Sequence, residues 1–228
     1  MRPHRRVYSG LDPLVALFII VVVLAGVSVV WFYRKRKVNL MIQEKTIRIL
    51  EKVFQPYDKK YTVIGIYVGF SALYKILKKN LKTIEVVTLL IPRQSLMYLP
   101  IAKLTSRFDK IFIIYHYDKD THFPGEAHLV RKGYYRLGIK RAIHGIEKMH
   151  VETTKINGKT YYLIYNNRRV MDKIMELVNR LKNPLLLQHV AIVPKLHRLY
   201  IASKLDLRYL EDIVSKTYDF ALKLVGEQ

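Results

Sequence analysis

Three histidines and three carboxylates, His116, Asp118, Asp120, His122, Glu126 and His128, fall within the run HYDKDTHFPGEAH of a chain that has eight His in all. Imidazole with carboxylate is the ligand set of zinc, manganese or iron. In an extended strand His116, Asp118, Asp120 and His122 share one face, because side chains alternate. The Pro124-Gly125 turn then returns Glu126 and His128 towards them. Converged, His116, Asp118, Asp120, His122 and His128 would hold a divalent metal, and the chain would be a metal-dependent enzyme, hydrolytic in type. The calcium-loop template fails: counting from Asp118, the sixth residue is Phe123 rather than Gly and the twelfth is Leu129 rather than Glu. A polar stretch between two strands is ordinarily a solvated loop. That is the expectation here, with the metal enzyme as the alternative and no other cofactor expected.

The usual signatures of chemistry are missing elsewhere. The sequence has no GxxxxGK[ST] phosphate loop, no GxGxxG, no HExxH and no GxSxG. It has no cysteine, which excludes disulfides, thiolate catalysis, Cys-ligated zinc and iron–sulfur clusters. These absences favour a binding or scaffolding protein over an enzyme, with no catalytic residue assigned.

Charge points to the kind of partner. The formal net charge is +22, and 33 basic against 17 acidic residues remain once residues 1–37 are set aside. Such a surface attracts anionic phospholipid headgroups, an acidic protein or nucleic acid. The candidate anion-binding residues are Lys78, Lys79 and Lys82, and the group Arg131, Lys132, Arg136, Lys140 and Arg141. A membrane-tethered nucleic-acid binder is a further alternative. It lacks a recognised module's aromatic signature, and most of the 17 Tyr lie in strand-like stretches.

What must position all of these is set near the N-terminus. Leu14 to Tyr33 is uncharged, and fourteen of its residues are Leu, Ile, Val or Phe. A helix of that length is about 30 Å long, the thickness of a bilayer's hydrocarbon core. It ends in Trp31-Phe32-Tyr33 and then Arg34-Lys35-Arg36-Lys37, an aromatic belt followed by a cationic stop, and these seven residues are the candidate membrane interface. The apolar run is longer than the roughly 7–15 residues of a secretory signal, and no small-x-small site follows it. It reads as an uncleaved single transmembrane helix. Three Arg precede it, while Arg34, Lys35, Arg36, Lys37, Lys45, Arg48 and Lys52 follow. The heavier basic side stays in the cytoplasm, so residues 1–13 are expected to be a short arm outside.

Residues 34–56 have helical spacing, with Ile42, Ile49, Leu50 and Val53 on one stripe. They are expected to form a basic juxtamembrane stalk that docks on its own domain and ends at Pro56. Residues 57–228 read as a basic α+β domain, an antiparallel sheet with amphipathic helices packed on it. Strands are expected at 61–70, 81–92 and 109–117, while 71–80 fits either helix or strand. Asn157-Gly158 signals a hairpin. A helix follows at 169–181, then strands at 188–193 and 196–203, and a last helix opened by a capping box at Ser203-x-x-Asp206. Strand–strand–helix thus occurs at 149–182 and again at 187–225, which suggests an internal repeat.

Overall fold

In a computed structural model, residues 12–226 other than 79, 97, 107, 136, 137 and 144 are described. The elements are α1 (Pro13–Phe54), β1 (Asp58–Gly65), β2 (Gly69–Lys78), β3 (Leu81–Leu89), α2 (Leu99–Ser106), β4 (Lys110–Tyr117), β5 (Ala127–Arg131), α3 (Ile139–Ala142), β6 (His150–Ile156), β7 (Lys159–Tyr165), α4 (Arg168–Arg180), β8 (Leu187–Val193), β9 (Arg198–Lys204) and α5 (Leu210–Gly226). The protein is α+β: the strands form one antiparallel sheet of nine in the order β1-β2-β3-β4-β9-β8-β5-β7-β6.

The apolar run occupies the first half of α1, a helix of 42 residues started by Asp12, whose carboxylate accepts the Leu14 N–H at 2.9 Å. It is long and apolar enough to cross a membrane, and none of its apolar window is buried against the chain itself. The second half packs on the sheet. The buried stripe there is Asn39, Thr46, Leu50 and Phe54. Ile49 and Val53, expected to lead it, only flank the core. Helical spacing puts these two sets on adjacent faces, and the inward one carries two polar residues because the neighbouring backbone offers them partners.

One core lies between the sheet and a layer of α1, α4 and α5. Alternation along the strands sends Tyr74, Ile84, Ile113, Tyr115, Leu129, Leu163, Val190 and Ile201 towards the helices. Tyrosine serves here because its ring fills volume while its hydroxyl reaches a partner. Tyr115 Oη lies 2.9 Å from Thr217 Oγ1, and the Tyr117 hydroxyl donates to the Ala221 carbonyl at 2.9 Å. On the opposite face, Ile143 and Ile146 from the segment after β5 cover Val130 and Ile164.

Of residues 71–80, which fit helix or strand, 71–78 belong to β2. Phe70, Ala72, Tyr74 and Ile76 are buried while Leu73, Lys75 and Leu77 are exposed, a period of two. The hairpin at Asn157-Gly158 forms with φ of 45° and 76°. The capping box at Ser203 does not form. Ser203 ends a strand with its hydroxyl donating to Leu186 O at 3.1 Å, and Asp206 accepts the Arg208 N–H at 3.1 Å in a turn before α5. The box failed because β9 pairs through Lys204 with β4, so residue 203 was already committed to the ladder.

Candidate functional site

The side chains at the middle of α1 meet the domain in a compact junction. The Trp31 indole N–H donates to the Arg93 carbonyl at 2.9 Å, and Lys35 stands 4.8 Å over the same ring. Phe32 packs edge-on against Tyr67 in the β1–β2 turn at 6.0 Å, and Arg36 covers that tyrosine at 5.0 Å. Tyr33, Arg34 and Lys37 face outward.

Two turns further on, Asn39 is fully buried, at 0 % exposed. Its amide donates to the carbonyls of Tyr67 at 2.7 Å and Ile91 at 2.9 Å, and its oxygen accepts from Arg93 Nη1 at 3.0 Å. Arg93 is held in turn by Asp109, at 3.0 and 2.6 Å to its two oxygens, and Asp109 Oδ1 also accepts the Ile91 N–H at 2.8 Å. Such a two-pronged Arg–carboxylate pair fixes geometry as well as charge. Helix, β1–β2 turn and the chain leaving β3 are thereby one rigid unit. Asn39, Arg93 and Asp109 were not singled out from sequence. The available signal was Asn39 itself, the one Asn of α1, on the same helical face as Thr46, Leu50 and Phe54.

The His/Asp run is divided between a strand and a loop. His116 lies in β4, its Nε2 3.3 Å from Glu85 Oε2 on β3. Burial, with the nearby Arg198 guanidinium, holds its pKa below the ordinary value. The strand ends at Tyr117, so Asp118, Asp120 and His122 do not alternate on one face. Asp118 and Asp120 belong to a turn, and His122 Nδ1 sits 3.1 Å from the Asp120 carbonyl oxygen. His128 is in β5, with β9 and β8 between it and β4. That separates it from His116 by about 14 Å at the usual strand spacing. Among the described residues, no three His, Asp or Glu side chains stand where they could hold a metal ion.

His128 instead joins a buried chain of hydrogen bonds. Its Nε2 is 3.0 Å from Glu126 Oε1, its Nδ1 3.2 Å from His189 Nε2, and His189 Nδ1 2.7 Å from Tyr135 Oη. A carboxylate can only accept, so His128 carries its proton on Nε2. His189 Nε2–H then donates to His128 Nδ1, and Tyr135 donates to His189 Nδ1. Burial keeps both imidazoles neutral, His189 most strongly with His128 beside it, and burial pushes Tyr135 up to about 12. All four imidazole nitrogens are thus paired, with the protons running in one sense from Tyr135 to Glu126.

The cationic candidates fall at opposite ends of the sheet. Lys78 and Lys82 flank the β2–β3 hairpin and are exposed. Lys79 and Arg136 lie outside the described residues, and Lys140 and Arg141 belong to α3. Arg131 closes β5, donating to Leu185 O at 3.2 Å, with Lys132 exposed beside it. The register carries one row across the sheet, Gly69 to Leu89, Leu89 to Lys110 and Lys110 to Lys204. Arg131 is at that end too, roughly 27 Å along the strands from Lys78. Lys204, burial aside, feels the charges of Arg131 and Lys159, and its ammonium is held below the usual lysine range. Sequence distance hid this grouping, because its members come from β4, β5, β7 and β9.

The end that bears Lys110, Arg131 and Lys204 is also the end that carries the junction with α1. Comparison of the chain with protein-family models and with curated proteins returns no match, so function is argued from this geometry.

Proposed function

We propose that the chain is a single-span membrane protein whose basic α+β domain lies on the cytoplasmic side and acts by binding an anionic partner at the membrane surface. The observation that carries this reading is the contrast within α1. The apolar window of α1 is not covered by the chain and meets the domain only at its end, through Trp31 and Phe32, whereas Asn39 to Phe54 is built into the domain. An unbroken apolar cylinder about 30 Å long far exceeds the few hundred Å² of apolar patch that water-exposed surfaces tolerate, and a bilayer covers it without further cost.

The orientation rests on the basic residues that follow the span, Arg34 to Lys37 with Lys45, Arg48 and Lys52, against the three Arg before it. The hydrogen bonds of the junction support a domain held close to the surface rather than swung on a tether. The absence of cysteine allows a direct test. A single Lys119→Cys variant, exposed in the turn after β4, is treated in intact cells with a membrane-impermeant maleimide. Labelling only after permeabilisation is expected. Labelling from outside intact cells overturns the orientation, and extraction of the protein by alkaline carbonate overturns the span.

A further inference from the structure

We infer that the domain makes a second, independent contact with the bilayer: the sheet end beside the junction rests in the headgroup layer, with apolar side chains entering the interface and a cationic rim facing anionic lipid. The inference rests on the span proposed above and adds a lipid-binding surface to it.

Depth comes first. The hydrocarbon core ends near Tyr33, and the headgroup region beyond it is about 5–7 Å thick on each side. At about 1.5 Å per residue, Arg36 is roughly 5 Å past that border and Asn39 roughly 9 Å. Tyr67 touches Phe32 and Arg36, and the Arg93 carbonyl accepts from Trp31. The Tyr67 ring and the Arg93 carbonyl are therefore at the depth of the headgroups, and the Asn39–Arg93–Asp109 network that holds them lies just beyond that layer. The β1–β2 turn and the chain leaving β3 carry exposed apolar side chains beside the cations of α1. Ile66 is 65 % exposed, Tyr98 50 %, and Leu104 on α2 72 %. Exposed aromatic and aliphatic side chains on the β1–β2 turn and on the chain leaving β3 suit the interfacial zone, where Tyr is enriched.

Charge makes the same distinction. α1 runs along β2, from Asn39 beside Tyr67 to Phe54 against Tyr74, so the strands stand roughly along the span. The row through Lys110 and Lys204, with Arg131 and Lys159, then faces the same leaflet as the junction. The carboxylates nearest this end are already engaged, Asp109 by Arg93 and Asp206 by Arg208. Lys110 and Lys204 stand over the Phe108 ring and Arg131 donates to Leu185 O, but none of the three has a carboxylate partner among the ion pairs of the described residues, and the apposed phospholipid phosphates supply the anions. Each cation near such a surface strengthens partitioning by about fivefold.

The test places single spin-labelled cysteines in the full chain, reconstituted in vesicles of phosphatidylcholine with or without phosphatidylserine. Ile66→Cys and Tyr98→Cys probe the contact, Val22→Cys reports the span, and Lys119→Cys reports water. Collision with oxygen against a polar nickel chelate reads lipid burial. Labels at 66 and 98 are expected to prefer oxygen, between the values at 22 and 119, and more so with phosphatidylserine. Adding Lys159→Glu and Lys204→Glu is expected to lower the lipid-buried fraction at 98 by tenfold or more in the anionic vesicles, on the order of two such charges. Labels at 66 and 98 matching 119 in both lipids, with 22 buried, overturn the contact and leave the span standing. A label at 22 that reads as water-exposed overturns the span and the contact together. Burial at 66 and 98 that persists in detergent without lipid assigns the surface to another protein or copy and overturns the lipid assignment.

Discussion

Asn39→Ala removes the centre of the junction. The substitution, at a residue that is 0 % exposed, leaves the Tyr67 carbonyl without the Asn39 amide and takes one acceptor from Arg93, while the Ile91 carbonyl keeps the Arg93 backbone N–H at 2.8 Å. A buried polar group left unpaired costs about 1–3 kcal/mol. Arg93 keeps Asp109, which limits its share, and alanine's helix preference returns about 0.5 kcal/mol. The net cost is about 2–4 kcal/mol, which for a domain of this size lowers Tm by about 4–16 °C. Circular dichroism of the detergent-solubilised protein reads the melt. Hydrogen exchange localises it: faster exchange is expected at the Val68, Leu90, Ile91 and Arg93 amides, with the β6–β7 hairpin unchanged. Trp31, the one Trp of the chain, gives a second readout, because a loosened Arg93 carbonyl alters its emission. A melt within about 2 °C of the parent, with unchanged exchange at residues 68, 90, 91 and 93, refutes the view that Asn39 ties the helix to the sheet.

Two glycines are expected to respond oppositely to Ala. At Gly69 a Cβ would meet Thr88 O at 1.9 Å, so Gly69→Ala should cost at least about 1–3 kcal/mol in the melt or shift the β2–β3 register, whereas at Gly26 nothing lies within 4 Å and the change should be neutral in yield and Tm. Acid should destabilise the domain. His128 and His189 have folded pKa values below the ordinary one, so their contribution is present above the unfolded value of about 6.5 and is lost as pH falls below it, by about 1.4 kcal/mol per pH unit for each proton bound only on unfolding. Melts between neutral and mildly acidic pH check this, and His189→Gln should flatten the fall. Leu50→Ala, at a fully buried site beneath the sheet, should cost about 2–5 kcal/mol; a loss under about 1 kcal/mol would mean the second half of α1 is not part of the core.

The α+β class, the antiparallel sheet, the β6–β7 hairpin and the long apolar helix were legible because local rules set them. Period two marks a half-buried strand, Asn-Gly makes its own turn, and twenty uncharged residues fix a helix's surface whatever surrounds it. The capping box misled because a Ser-x-x-Asp spacing does not reveal that Ser203 is already paired in β9. Residues 71–80 stayed ambiguous until both strands neighbouring β2 were in place to bury alternate side chains. The functional surfaces belong to the tertiary structure. Asp118, Asp120 and His122 lie close to one another in sequence but sit in a turn, and His116 and His128 are separated by two inserted strands. Lys110, Arg131, Lys159 and Lys204 lie far apart in sequence and share one end of the sheet, because β8 and β9 fill the gap between β4 and β5. By itself the sequence determined that one segment is too apolar for water and that the rest is strongly basic. Only the packing of Asn39 against Tyr67 and Ile91 decided how the two are joined, since a buried amide needs partners that no local pattern supplies.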